Sequence, residues 1–310
     1  MKKRGEHEET RRELRELLAQ TVLNPNSPDV SQFLPVRGIH DIGILHGELY
    51  NSIDAWAWRF SQTVDTRAHR FLRDIVDGDT IIDRLYAATL DGTSLDKRLL
   101  DETLRGYFFT SVVSTMIWEF IFARYLFGLD PEQRKRLQLV EKSLSSGPSK
   151  VLREWRATTL RILSTETGYQ ERCSMDAEAV TSFILRTVSA IIPAPNVVSG
   201  DQGSGLRKIV NCAVDLSILM RVQRADYMVF PPAQVRYDED GNISDFLTFN
   251  TGLMNLQGYS GPLSPEELEK RKARVAISMY PVVVAEGDED GDGDDERVAF
   301  PSQVLLADPV

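Results

Sequence analysis

Apolar and polar positions alternate along this chain mostly with helical period. Ile42, Leu45, Leu49, Ile53, Trp56 and Phe60 recur at three and four, which predicts a long helix from about 39 to 63 with one apolar face. Shorter helices are expected near 66–76 and 79–90, separated by Asp77–Gly78. A stripe of Leu95, Leu99, Leu104, Phe108, Val112 and Met116 then predicts one continuous helix capped by Ser94 and ended by Gly128. On its wet face, Lys97–Asp101 and Asp101–Arg105 form i,i+4 pairs. Asp130–Pro131–Glu132–Gln133 reads as a capped start with Gln133 completing a capping box. Further helices are expected at roughly 149–164, at 175–191 after a cap at Ser174, and from 205 to about 229, where Pro231–Pro232 stop it.

The pattern changes over the last eighty residues. Val235–Tyr237 and Ile243–Phe249 read as a short hairpin turning at Asp240–Gly241. Ser264–Pro265–Glu266–Glu267 opens a short capped helix. Ala276–Ala285 and Arg297–Leu306 are β-like runs flanking an acidic loop, 286–296. The predicted fold class is mainly α, a multi-helix bundle with a small β-containing C-terminal extension. Its expected divisions are a charged arm at 1–25, a helical body at 26–232 and the extension at 233–310.

Charge sharpens this picture. Net charge is −10, yet Glu286, Asp288, Glu289, Asp290, Asp292, Asp294, Asp295 and Glu296 all lie in one loop. Without that loop the chain is near neutral. No basic stripe is visible, which speaks against a nucleic-acid partner. Two widely separated cysteines, Cys173 and Cys212, and a start too charged for an export signal point to a reduced compartment, cytoplasm or nucleus. Gly106–Gly128 is the most apolar segment. Its uncharged run is too short to span a bilayer, and Glu119 and Arg124 interrupt it, so it reads as a buried core helix.

Two stretches carry a resemblance: LRKIVNCAVDLSILMRVQRADYMVFPP (206–232) with the apolar strand that follows it, and NSPDVSQF with LHGELYNSIDAWAWRF (26–33 and 45–60). In order of elements they resemble helical proteins common in filamentous ascomycete fungi, in which a charged arm precedes a helical body. The resemblance implies a helical fold and a fungal cytosolic setting, and it carries over no catalytic residue.

Several constellations invite a chemical reading. Asp288, Asp290, Asp292 and Gly293 match half of a calcium-binding loop, but position twelve is Ala299 and the flanks are β-like. A solvated loop held extended by like charges is therefore the favoured reading. Gly203, Gly205, Arg207 and Lys208 lie in a glycine-rich stretch before a helix, where amides and cations meet anions. The Walker spacing is absent, so a connector capped by Ser204 is preferred. Glu119 sits among Trp118, Phe120 and Phe122, which suggests a pocket with Tyr107, Trp118 and Tyr125. A partner reaching Glu119 from another helix is the ordinary alternative. His40 and His46 do not share a helix face, and His46–Gly47–Glu48 lacks the cysteines of a zinc deaminase site. Ser94 and Lys97 match S-x-x-K without its partner motifs. The lone cysteines read as core filler.

These patterns favour a non-enzymatic scaffold or regulatory protein that holds a protein partner, with no cofactor implied. The alternative is an enzyme or small-ligand binder with a pocket inside the helices.

Overall fold

The computed structural model describes residues 36–62, 84–191, 200–233, 236–237 and 243–307. The expected arm, the helix at 66–76, the turn Asp240–Gly241, His7 and His69 lie outside the described residues. Helix α1 (Ile39–Ser61) forms where expected and buries Ile42, Leu49, Ile53, Trp56 and Phe60. The expected single helix from Ser94 is instead two, α2 (Leu95–Leu100) and α3 (Glu102–Ile117). Asp101 causes the break. Its backbone is extended (ψ 125°) and its carboxylate accepts the Leu104 N–H, so it caps α3 rather than pairing along a helix face. Arg105 turns inward and donates to the carbonyls of Ser61 and Leu99. Ser94 occupies the cap position of α2 without a side-chain cap bond.

Helix α3 has apolar or small residues on all sides and buries most of its length, as a central helix must. One π-helical turn, Trp118–Phe122, continues it. The buried-core reading of Gly106–Gly128 is thus realised in two helical geometries. Among the described residues no helix is long and apolar enough to cross a membrane. Helix α4 (Pro131–Leu144) starts where expected, with Asp130 accepting from the Glu132 and Gln133 amides but without the return bond from Gln133 that would complete a capping box, and α5 spans Ser149–Ser164. Helix α6 (Tyr169–Ile191) begins well before Ser174, which lies inside it. Cys173 on α6 is buried, whereas Cys212 is exposed rather than core filler.

Helix α7 (Gly200–Arg221) absorbs the expected glycine connector, including Ser204. Glycine disfavours a helix interior by about 1 kcal/mol, but packing overrides that here. A Cβ on Gly205 would come within 3.2 Å of the Trp56 ring, whose indole N–H donates 3.0 Å to the Gln202 carbonyl. The same helix ends at Arg221 instead of about 229, and β1 (Asp226–Val229) follows.

The C-terminal β-runs each break once. β5 (Val275–Tyr280) and β6 (Val283–Glu286) flank Pro281; β7 (Glu296–Phe300) and β8 (Ser302–Leu306) flank Pro301. Proline cannot continue a ladder, so the long hairpin bends there and feeds two sheets. One has order β1–β6–β7 and is antiparallel. The other has order β4–β8–β5, where β4 (Met254–Leu256) runs parallel to β8. The short expected hairpin forms between β2 (Arg236–Tyr237) and β3 (Ile243–Asp245), and Ser264 and Glu267 close a full capping box on α8 (Pro265–Lys270).

Most helices and strands share the larger of two apolar clusters, and the smaller one lies around Phe249, Leu268, Val275 and Val304. Ser111 of α3 donates 2.7 Å to the Ser278 carbonyl of β5. Tyr280 and Phe300, the residues before the two prolines, meet edge to face at 5.5 Å. Both surround His46, which is fully buried and also contacts Phe122. His46 Nε2 lies 3.2 Å from the Met220 sulfur and Nδ1 lies 2.8 Å from the Tyr280 hydroxyl. A thioether has no proton to give, so Nε2 carries the hydrogen and Nδ1 accepts from Tyr280. Burial holds the His46 pKa down to about 3 and pushes that of Tyr280 up, so both are neutral.

Two outcomes follow from this packing. Between the ordinary histidine pKa near 6.5 and about 3, the unfolded chain takes up a proton at His46 that the folded one refuses. The stabilising contribution is complete above pH 6.5 and falls on acidification by about 1.4 kcal/mol per pH unit. Denaturant unfolding from pH 7 to pH 5 is expected to show that slope, and His46→Asn to flatten it. Separately, a Cβ on Gly43 of α1 would collide with the Ala299 carbonyl of β7. Gly43→Ala is expected to cost about 1–3 kcal/mol by the same unfolding assay.

Candidate functional site

The sequence-predicted pocket residues each have their own partners. Glu119, in the π turn, receives a two-pronged hydrogen bond from Arg84 at 2.7 and 3.2 Å. The Arg84 guanidinium also lies over Phe120 and Phe183 at 5.4 and 5.2 Å. This is the partner from another element that desolvation demands. Trp118 donates its indole N–H to the Val229 carbonyl of β1. Tyr107 packs on Trp58 of α1, and Tyr125 lies beside Glu141, Arg156 and Arg221.

The glycine stretch also differs from its expected form. Gly205 lies past the first four amides of α7, so its N–H belongs to the helix interior. Arg207 is engaged by Glu178 through two bonds of 2.7 and 2.8 Å. Lys208 is exposed on the same helix.

The acidic loop is braced by a side chain from the helical part. The favoured expectation was a solvated loop kept extended by repulsion. Instead it is folded onto the start of α5. Arg153, only 4 % exposed, donates to the Gly291 and Gly293 carbonyls at 3.1 and 2.6 Å. Its other nitrogen donates to Glu286 at 2.6 Å and Asp294 at 3.2 Å. A guanidinium thus sits where the loop's oxygens converge. The three aspartates proposed as metal ligands have separate duties. Asp288 accepts the amides of Asp290 and Asp292, which holds its carboxyl below the usual range. Asp290 pairs with Arg224, and Asp292 with Lys150. Among the described residues no three His, Cys, Asp or Glu side chains are grouped as metal ligands.

One turn along α5, Arg156 is equally buried and pairs with Asp226 at 2.7 Å. Asp226 and Glu286 are direct cross-strand partners in β1 and β6. Two arginines three residues apart therefore meet two carboxylates on one sheet face. Like charges opposite one another in a sheet repel, and the arginines relieve that repulsion. Arg221 adds a longer contact to Asp226 at 4.0 Å, and burial lowers its pKa. This quartet escaped sequence reading because its members lie far apart and each appears there only as one more surface charge.

Beside the clasp is a cleft of about 280 Å³ lined by Ile39, Tyr227, Asp288, Glu289, Asp290 and Arg297. Burial pushes the Tyr227 pKa up to about 12, so its hydroxyl stays protonated; it donates to the Arg37 carbonyl. The outer carboxylates of Glu289, Asp290 and Asp295 remain exposed.

The chain is 42% identical over 263 residues to Leashin of Aspergillus fumigatus, a filamentous ascomycete. The match covers 84% of this chain but spans only about 5% of the length of that relative. No protein-family model matches the chain, and no solved structure matches it. The fungal resemblance read from the front and middle segments agrees with the Leashin match.

Replacing Arg153 by Met is expected to destabilise the protein by about 2–4 kcal/mol, because Glu286 loses its charge partner and two carbonyls lose their donor. Amide hydrogen exchange should accelerate selectively across residues 287–295. Unchanged protection there would show that the loop holds its form without the arginine.

Proposed function

We propose that this chain is a non-enzymatic protein-interaction module that presents a braced acidic loop to a basic segment of a partner. The observation that carries the reading is the Arg153 clasp. An unbraced run of acids must be ordered upon binding, which costs affinity. Here one buried arginine has already given the loop its shape, while Glu289, Asp290 and Asp295 stay exposed on it. The share of a far longer relative that this chain matches supports the same view, since a small folded unit in a very long polypeptide suits a scaffold. The free thiols of Cys173 and Cys212 fit a reducing compartment such as the cytoplasm.

The test is a titration with a fluorescent lysine- and arginine-rich peptide at several salt concentrations. The triple change Glu289→Gln, Asp290→Asn, Asp295→Asn is expected to weaken binding by about tenfold at low salt, where charge contacts are least screened. The matched change Glu132→Gln, Glu171→Gln, Glu266→Gln, on distant exposed sites, should weaken it by less than about twofold. Equal losses from both triples would mean that net charge alone attracts the peptide and would overturn the reading.

A further inference from the structure

The half-buried carboxylates Glu119, Asp91, Asp226 and Glu286 each have an arginine. Asp54 of α1 does not. Burial pushes its pKa up, and among the described residues no cationic side chain pairs with it. The groups beside it are neutral: the Thr110 hydroxyl of α3, 3.0 Å from Asp54 Oδ1 and also 3.0 Å from the Gly106 carbonyl, and the Trp58 side chain one turn along α1. Asp215, a second carboxylate with its pKa raised by burial, lies in a cleft without an aromatic wall.

Asp54 has aromatic surroundings. Trp58 and Tyr107 are both half-buried, and their rings stand 5.7 Å apart at 87° to each other. The arrangement is held firmly. Gly106 lies against the Trp58 indole so closely that a Cβ there would come within 2.7 Å of the ring. Gly258, with φ of +66°, leaves room for the Tyr107 hydroxyl, which would otherwise stand 2.7 Å from a Cβ. Two aromatic walls at a right angle, with a carboxylate beside them that has no cationic partner among the described residues, make a corner that favours positive charge.

We propose that Asp54, Trp58 and Tyr107 bind the side-chain ammonium of a lysine from a partner polypeptide. The inference rests on the interaction reading above but uses a different surface. The choice of ammonium over guanidinium follows from the acceptor. A guanidinium gains most from a carboxylate with both oxygens open to a planar fork. Asp54 Oδ1 already faces the Thr110 hydroxyl, so the two oxygens are not both open to a fork and a compact donor fits better. The ammonium takes that place, and its charge rests against the ring faces.

The probe is a blocked Gly-Gly-Lys-Gly-Gly peptide, titrated while the Trp58 indole N–H resonance is followed by NMR. The arginine and norleucine versions serve as comparators. A saturable shift with the lysine peptide is expected, at least threefold weaker with arginine and absent with norleucine. Asp54→Asn keeps the shape and removes the charge, so it should fold and weaken binding by about tenfold. Trp58→Leu should weaken binding to a similar degree, read from the Thr110 amide. Each of three results would overturn the site: no saturable shift with lysine, equal response to norleucine, or undiminished binding in Asp54→Asn. Equal affinity for the arginine peptide would overturn the ammonium assignment. The acidic-loop triple variant should leave this titration unchanged, so failure here and failure of the loop reading are separable.

Discussion

The fold depends on a constraint that α5 imposes. Arg153 and Arg156 lie on its inner face and are almost wholly buried. A buried cation without a partner is very costly, so the structure must bring carboxylates to both. It does so with Glu286 and Asp226, which face each other across β6 and β1. The paired strands place the acids; the arginines make their proximity tolerable. From that quartet the acidic loop is drawn onto α5, because Arg153 has donors left for the Gly291 and Gly293 carbonyls. The charge of the loop is thereby organised around a cation supplied by the chain itself.

A second constraint ties the sheets to the helices. Pro281 and Pro301 interrupt the two arms of the C-terminal hairpin at facing positions, and the preceding Tyr280 and Phe300 meet in the core. His46 from α1 fills the space between them as a neutral ring with both nitrogens satisfied. This is why an amphipathic helix, a central helix apolar on every side and a bent hairpin pack as one core cluster.

Much of the helical layout was legible because it is local. The apolar stripe of α1, the Asp130–Pro131 start of α4, the bounds of α5 and the Ser264–Glu267 capping box depend on residues a few positions apart. Misreadings arose where distant packing decided. Asp101 fits a helix interior by pattern but caps α3; Gly203 and Gly205 suggest a loop, yet Trp56 holds them within α7. The site was less legible. Arg84, the partner of Glu119, comes from 35 residues away, and Arg153 reaches the loop from more than 130. Neither arginine has a local signature. The Asp54 corner is partly visible as an i,i+4 pair with Trp58, but Tyr107 and Thr110 come from another helix.

Both surfaces assigned here prefer positive charge, and both rely on rigid backing: a buried arginine behind the loop, and glycine-seated rings beside Asp54. The most direct measurement concerns the quartet that supports the first of them. A double-mutant cycle with Arg156→Met and Asp226→Asn, read by chemical denaturation, isolates their interaction from the loss of either side chain. If buried charge pairing organises the fold, the two changes should couple by at least about 1.5 kcal/mol. Losses that add to within about 0.5 kcal/mol would contradict it, and would mean that shape packing alone joins α5 to the sheet.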